Sequence, residues 1–489
     1  MAERVILLGL DFGSTTSSAL IASAKVVRST ATGHMQLDDV QVSYQSEPVF
    51  TPFAIQNNRQ SIDTEKVAKL IANWLAESDI KVAEIFSGGS MITGLAAQAD
   101  NAAALSKLIL NLVGESVIAT ADDPCLESWL AFMGNCGALS RYHAEVPILN
   151  FDIGGGTTNI ALGNAALGVN DHVQATGCYF IGARHFQFAT GSYQLTAISP
   201  YGAALLDDLS INKNIGETLS ANECEKIMAF YIKALESIVT GDADFLNATI
   251  AQKNTQVAFN ANLTIHSKTS RPKVTFSGGV GALLYKISAG ELLPTTTFFG
   301  DFGIDLALAI SRSALLSADL TTFIPEHKGR ATVVGLTLHS TEISGNTIYL
   351  PRPDCLPLRD LPIIAKLAPD SPLEQWCTAL SLAAKRQSGS QKQGVCIQIT
   401  ACNNTLEQVR ALAIQIKHAL HANKYAPLQP LIILVEANIG KALGNYVCDW
   451  GLAQYNLIVI DEVALRDAHF VQIGSDHQGM IPVSFYGLN

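Results

Sequence analysis

Two stretches of the chain repeat one pattern: "LLGLDFGSTTSSALI" at 7–21 and "ILNFDIGGGTTNIAL" at 148–162. Aligning Asp11 with Asp152 sets "LDFG-STTSSAL" against "FDIGGGTTNIAL", with one extra glycine in the second copy. A recurrence of this kind implies duplicated architecture, so the fold must contain two like halves. In a dinucleotide fold or a P-loop, the glycines lead straight into a helix whose N-terminus holds the phosphate. Here Thr15 to Ala22 and Thr157 to Leu162 are short on helix formers and suit a returning strand. Each copy therefore reads as a strand–turn–strand hairpin with its tip facing a ligand. Glycines at the tip let backbone N–H groups approach closely, successive amides form an anion nest, and the hydroxyls add donors. An aspartate beside phosphate is repelled unless a Mg²⁺ or its waters lie between, or unless it orients an attacking water. One such motif alone would read as a tight turn with a capping aspartate. Two copies in matching contexts favour the phosphate reading.

A third element supports it. "VTFSGGVGALLY" at 274–285 is a strand running into glycines and then into helix-compatible residues. Gly278, Gly279 and Gly281 let a flat base and ribose rest against backbone. At 489 residues the chain exceeds what one core usually organises. Three sections are expected: 1–146, 147–330 and 331–489. The last contains a Ser/Gln/Gly-rich break at 385–394, followed by "VCIQIT", "TLEQVRALAIQIKHALH", "PLIILVEA", "IGKALGNYV" and "NLIVID". Their strand–helix–strand–helix–strand alternation predicts an open α/β unit.

Bulk properties exclude several classes. A net charge of −11 argues against nucleic acid or anionic membrane as the main partner. The start has too short an apolar run for a signal peptide, and no window approaches the ~20 apolar residues a membrane helix requires. Nine cysteines, none spaced C-x-x-C, read as reduced thiols. A soluble cytosolic protein is expected.

Two hairpins and one strand–glycine–helix element, in this order, are carried by actin-like ATPases, heat-shock ATPase chaperones and sugar kinases, and the sequence resembles that superfamily. The resemblance implies an α/β fold of two ribonuclease-H-like domains around a nucleotide cleft, plus a C-terminal α/β section. Domain I would span 1–146 with the first phosphate hairpin and the connecting helix. Domain II would span 147–330 with the second hairpin and the adenosine motif. The connecting helix is similar to "DDPCLESWLAFMGNCGAL", which would place Asp123 against the metal's water shell, with Glu127 a weaker candidate. "FGDFGIDLALAIS" looks like the second connecting helix.

More specific stretches resemble the ethanolamine ammonia-lyase reactivating factors, nearly end to end. They include "MITGLAAQADNA", "PCLESWLAF", "RATVVGLTLHSTEISGNTIYL", "LPLRDLPI", "GKALG", "VIDEV" and "HFVQIGSDHQGMIPV". Two departures stand out. "AFMGNCGA" carries Phe132 and Met133 where the family has a more glycine-rich run, and "FVQIGSDH" lacks an acidic residue of the usual tail. The resemblance implies an ATPase that drives damaged cobalamin off the lyase so that intact adenosylcobalamin can rebind. Asp11 and Asp152 would hold Mg²⁺ through water. The amides of Gly13, Ser14, Thr15 and Thr16, and of Gly154, Gly155, Gly156, Thr157 and Thr158, would cradle the ATP phosphates. The expected partners are the lyase and ATP or ADP. Adenosylcobalamin would be handled at the lyase, because no D-x-H-x-x-G signature is present. The expected location is cytoplasmic; association with a bacterial microcompartment and the oligomeric state, a homodimer included, are left open. A small-molecule kinase and a non-catalytic actin-like scaffold of the same superfamily stay as alternatives.

Other signals carry less. "DFG" at Asp301–Gly303 mimics a protein-kinase metal motif without the H-R-D loop that should precede it. "VEANIGKALG" has Val435 and Ala442 where a P-loop needs Gly and Ser/Thr, and reads as an ordinary strand-to-helix corner. His418 and His421 lie i, i+3 with no third ligand at a recognisable spacing, so they read as an exposed helix face.

Overall fold

The computed structural model describes residues 4–488 except 31–32, 57–58, 94–95, 97–100, 114–116, 122, 165–171, 243–244, 246–270, 346, 388–393, 424, 426–429 and 454. The first Asp–Gly turn joins the strands Arg4–Phe12 and Thr16–Arg28, whose apolar, β-branched residues pair antiparallel. Met35–Gln45 continues the antiparallel order on one side, and Ile85–Ile92 pairs parallel with Arg4–Phe12 on the other. The second turn repeats this scheme. Ile148–Ile153 and Thr158–Asn164 form the hairpin, His172–Tyr179 adds antiparallel, and Lys273–Ser277 adds parallel to Ile148–Ile153. Strand order and direction thus match across the two sheets, which is the duplication expected from the repeated motif.

The chain passes from the first sheet to the second through the helix Pro124–Tyr142. Asp123 caps this helix and Pro124 occupies its first turn, where a missing N–H costs nothing. It is apolar on nearly every side, from Leu126 and Leu130 to Trp129, Phe132 and Met133, and is buried accordingly. The return passage is the helix Ala331–His339, which packs across it. The two backbones touch: a Cβ added at Gly134 would lie 2.0 Å from the Ala331 carbonyl oxygen, and one at Gly335 would lie 2.0 Å from that of Leu130. The expected assignment of "FGDFGIDLALAIS" to the second connecting helix is therefore corrected. Its helix, Gly303–Arg312, packs on Gly278–Ser288 and Ala221–Thr240 inside the second half, with Leu306, Ala307 and Ile310 in that core.

The C-terminal section extends the first sheet. Thr341–Ser344 bridges Met35 through Ile343 and pairs with Ile481–Leu488, which leads to Ala468–Ile473 and Leu358–Leu367. Beyond these, Leu358–Leu367, Val395–Ile399, Leu431–Val435 and Leu457–Ile460 run parallel in chain order. The helices Leu373–Gln387, Leu406–Ala422 and Gly440–Val447 alternate with these strands. The predicted alternation is present, while most of the Ser/Gln/Gly-rich break lies outside the described residues. At the corner before Gly440, the helix N-terminus is taken by the chain itself, since Gly440 N donates to Asp461 Oδ2 at 2.6 Å. That corner is therefore an ordinary one. His418 and His421 are exposed, and the nine cysteines are free thiols.

Candidate functional site

The two hairpin tips have the same internal geometry. Asp11 pairs with Ser18 across the first hairpin, and Asp152 pairs with Asn159 across the second, seven positions apart in each. Gly13 N donates to Thr16 O at 2.9 Å, and Gly154 N donates to Thr157 O at 2.9 Å. The repeats therefore align without a gap, and the extra glycine inferred in the second copy is a substitution. Ser14 and Thr15 correspond to Gly155 and Gly156.

The reason for glycine at those positions is proximity. A Cβ at Gly155 would fall 2.2 Å from Thr15 Oγ1 and 3.3 Å from Ser14 Cβ, so the two tips abut. Behind the second tip, Gly182 approaches so closely that a Cβ there would meet Gly155 O at 2.5 Å. Ala183 N and Arg184 N then satisfy the carbonyls of Gly154 and Gly155 at 3.1 and 2.6 Å. The first tip is braced by Thr51, whose hydroxyl donates to Gly13 O at 2.7 Å.

Both tips border one cavity of about 450 Å³, a size suited to a small-molecule ligand. Of the expected residues, Asp11, Gly13, Ser14, Thr15, Thr16, Asp152, Gly154, Gly155, Thr157, Gly278 and Gly279 line it. Gly278 adopts φ +76°, which turns the strand Lys273–Ser277 into its helix, and a Cβ there would meet Ile153 O at 2.5 Å. Gly279 faces open space. Four expected residues are not among the lining groups. Thr158 Oγ1 donates to Ile181 O at 2.7 Å in the core. Gly281 is tight against Phe276, and Gly156 lies against Gly182. Asp123 is the fourth, and its carboxylate is engaged elsewhere. Oδ1 accepts from Leu126 N at 3.1 Å and Oδ2 from Gly487 N at 2.5 Å, so it caps a helix and ties down the last strand. Glu127, one helical turn further on, reaches the cavity instead.

Sequence reasoning did not select Phe50, Thr93, Asn159, Lys286, Phe299, Asp301, Arg330 or Thr332, all of which line the cavity. Asp301 is the residue of the "DFG" that resembled a kinase motif; its Oδ1 accepts from Gly303 N at 2.9 Å.

Three carboxylates converge here. Burial, helped by the neighbouring Asp152, pushes Asp11 up to about 7. Burial raises Glu127 well above the usual carboxylate range; Asp152 and Asp11 add to this, and hydrogen bonds with Asn159 and Thr93 oppose it. Burial also raises Asp152, against hydrogen bonds from Ser277 Oγ at 2.5 Å and Thr332 Oγ1 at 3.5 Å. Asp11 Oδ1, Thr15 Oγ1 and Asn159 Oδ1 are buried without a protein partner. Like charges held together with unsatisfied oxygens fit a divalent cation. Among the described residues no three His, Cys, Asp or Glu side chains gather closely enough to ligate one ion directly. The arrangement can thus place a hydrated cation and an anionic group between two backbone turns.

The duplicated sheets, paired hairpins and crossing helices make this an actin-like ATPase fold. The sequence model of the family described as ethanolamine utilisation protein EutA matches residues 3–488. The chain is 28% identical over 496 residues to the ethanolamine ammonia-lyase reactivase EutA of Salmonella typhimurium, covering 99% of this chain and 98% of that protein. It is 25% identical to the Escherichia coli reactivase of the same name, with the same coverage. Among solved structures, the Aquifex aeolicus PPX-GPPA enzyme covers 68% of this chain and 99% of its own at 12% identity, with a TM-score of 0.36. The chain belongs to the ethanolamine utilisation protein EutA family.

Proposed function

We propose that this chain is an ATP-dependent reactivating factor for adenosylcobalamin-dependent ethanolamine ammonia-lyase, releasing damaged cobalamin so that intact cofactor can rebind. The observation that carries this reading is the convergence of two like hairpins and three buried carboxylates on one cavity. It occurs in a chain whose full-length relatives are named reactivases.

In this reading Asp11 and Asp152 hold the hydrated Mg²⁺, and the amides of Ser14–Thr16 and Gly155–Thr157 take the phosphates, while those of Gly13 and Gly154 close the turns. Bound Mg²⁺ would offset charge on the phosphate oxygens. Asp152 is oriented at both oxygens by Ser277 and Thr332, as a fixed cation anchor should be. Glu127 lines the cavity from the connecting helix, which suits it to accept the proton of the attacking water. Water attacks the γ-phosphorus, the bond to the ADP oxygen breaks, and the bridge between the two tips is lost. Because the tips belong to different halves, cleft closure depends on the γ-phosphate. The lyase is acted on through that closure, to the extent that it binds the open and closed forms with different affinity. No helix among the described residues is long and apolar enough to cross a membrane; the proposed location is the cytoplasm, with the lyase.

The test is reactivation of cyanocobalamin-inactivated ethanolamine ammonia-lyase, with ATP, Mg²⁺ and adenosylcobalamin each omitted in turn. Recovery that needs all three is expected. Recovery indifferent to ATP would overturn the proposal.

A further inference from the structure

The two oxygens of Asp152 lead to two different helices. Oδ2 accepts from Thr332, on the helix Ala331–His339. Oδ1 accepts from Ser277 Oγ at 2.5 Å, and the path continues inward from there. Asn150 Nδ2 donates to Ser277 Oγ at 3.0 Å, and Asn135 Nδ2 donates to Asn150 Oδ1 at 2.9 Å. Thr275 Oγ1 also donates to Asn150 Oδ1, at 3.0 Å, and Cys136 Sγ lies 3.2 Å from Thr275 Oγ1. Asn135 and Cys136 belong to the helix Pro124–Tyr142.

Three features set this chain of contacts apart from ordinary core polarity. Asn135, Asn150 and Ser277 are all buried, in a core where Phe151 and Phe276 stack at 5.7 Å. Every donor along it points the same way, from Asn135 through Asn150 and Ser277 to the carboxylate, so each bond polarises the next. Finally, its far end adjoins Gly134, whose backbone touches that of Ala331 and Gly335, while Thr332 follows Ala331 directly. The two routes from Asp152 therefore end on opposite sides of one helix crossing. Those two helices carry the chain from one half to the other and back.

We propose that Ser277, Asn150 and Asn135 form a positioning relay that couples the Asp152 carboxylate to the Gly134–Gly335 crossing, so that events at the nucleotide and the angle between the halves change together. This rests on the ATPase reading above. None of the three residues borders the cavity, so they act through Asp152 and not on the nucleotide. A break in the chain leaves buried polar groups unmatched.

Turnover, lyase reactivation and amide exchange test the relay on the full-length protein. Ser277→Ala should lower kcat for ATP by ~10–100-fold with KM within ~3-fold, the signature of lost orientation after binding, and Ser277→Thr should recover most of it. Asn135→Ala should keep ATP turnover within ~3-fold while reactivation events per ATP fall by ~10-fold. Hydrogen exchange on the wild-type protein avoids any folding defect of the variants: adding nucleotide should change protection around both 130–137 and 331–336. Wild-type kcat in Ser277→Ala together with undiminished reactivation per ATP in Asn135→Ala would overturn the relay. So would nucleotide binding that leaves exchange at the crossing unchanged. A wild-type protein that binds nucleotide without hydrolysing it would refute the ATPase reading, while exchange at the crossing would still decide the relay.

Discussion

Asp11, Glu127 and Asp152 share one cavity but differ in their surroundings. Asp152 is held by two hydroxyl donors, Asp11 has a buried oxygen with no partner, and burial together with both aspartates raises Glu127. Asp152→Ala is expected to abolish ATP turnover, and full activity in a phosphate-release assay would remove Asp152 from the mechanism. His185 offers a separate acid-stability prediction. It is fully buried behind the second tip, with Nδ1 2.8 Å from Ser199 Oγ, and burial depresses it to about 4. Its folded value lies below the ordinary 6.5, so its contribution to stability is present above pH 6.5 and is lost as pH falls toward 4. Up to about 3 kcal/mol is at stake. Denaturant melts between pH 7 and 4 should therefore be less pH-dependent in His185→Gln than in the wild type; equal slopes would contradict this. The aspartates and tip glycines were legible because the D-x-G turn recurs between strand-forming runs in two matching contexts. Asp123 was misplaced because Asp–Pro serves equally as a helix start. Its neighbour Glu127, one turn along the same helix, lines the cavity instead.

At the level of elements, the crossing of Pro124–Tyr142 with Ala331–His339 makes the sharpest prediction. Gly134→Ala puts a methyl against immovable backbone, 2.0 Å from Ala331 O and 2.5 Å from Gly335 N. Gly137→Ala, in the same helix, meets nothing nearer than 3.9 Å. Gly134→Ala should destabilise the protein by about 3 kcal/mol or more, whereas Gly137→Ala should be neutral or stabilise it by up to about 1 kcal/mol. Thermal or urea melts of the pair check this, and equal effects would contradict the close crossing. The departure from the family's glycine-rich run is thereby explained: Phe132 and Met133 fill the core on other faces, while the position in contact keeps its glycine. The return helix was hard to read because "ATVVGLTL" is rich in β-branched residues, which locally favour strand. Packing against the connecting helix overrides that preference. "GIDLALAIS" is a regular amphipathic helix, and nothing in its periodicity says which neighbour its apolar face meets.

For the whole molecule, the duplicated sheets place one hairpin on each side of a cleft, so a ligand gripped by both tips links the halves. A ligand that binds only the folded chain should raise its melting temperature, by about 2.7 kcal/mol of added stability at a hundred times Kd. The C-terminal strands extend the first sheet, which joins this section mechanically to the first half. Its parallel alternation was legible from periodicity; its attachment through Ile343 and Met35 was not, because an isolated short strand carries no mark of its partner. The central claim is that both hairpins grip one magnesium nucleotide in one cavity. Calorimetric titration of ATP into the full-length protein, with and without Mg²⁺, tests it most directly. The account predicts a single magnesium-dependent site, weakened ~10-fold or more by either Asp11→Ala or Asp152→Ala. No uptake, or uptake indifferent to both substitutions, would contradict it.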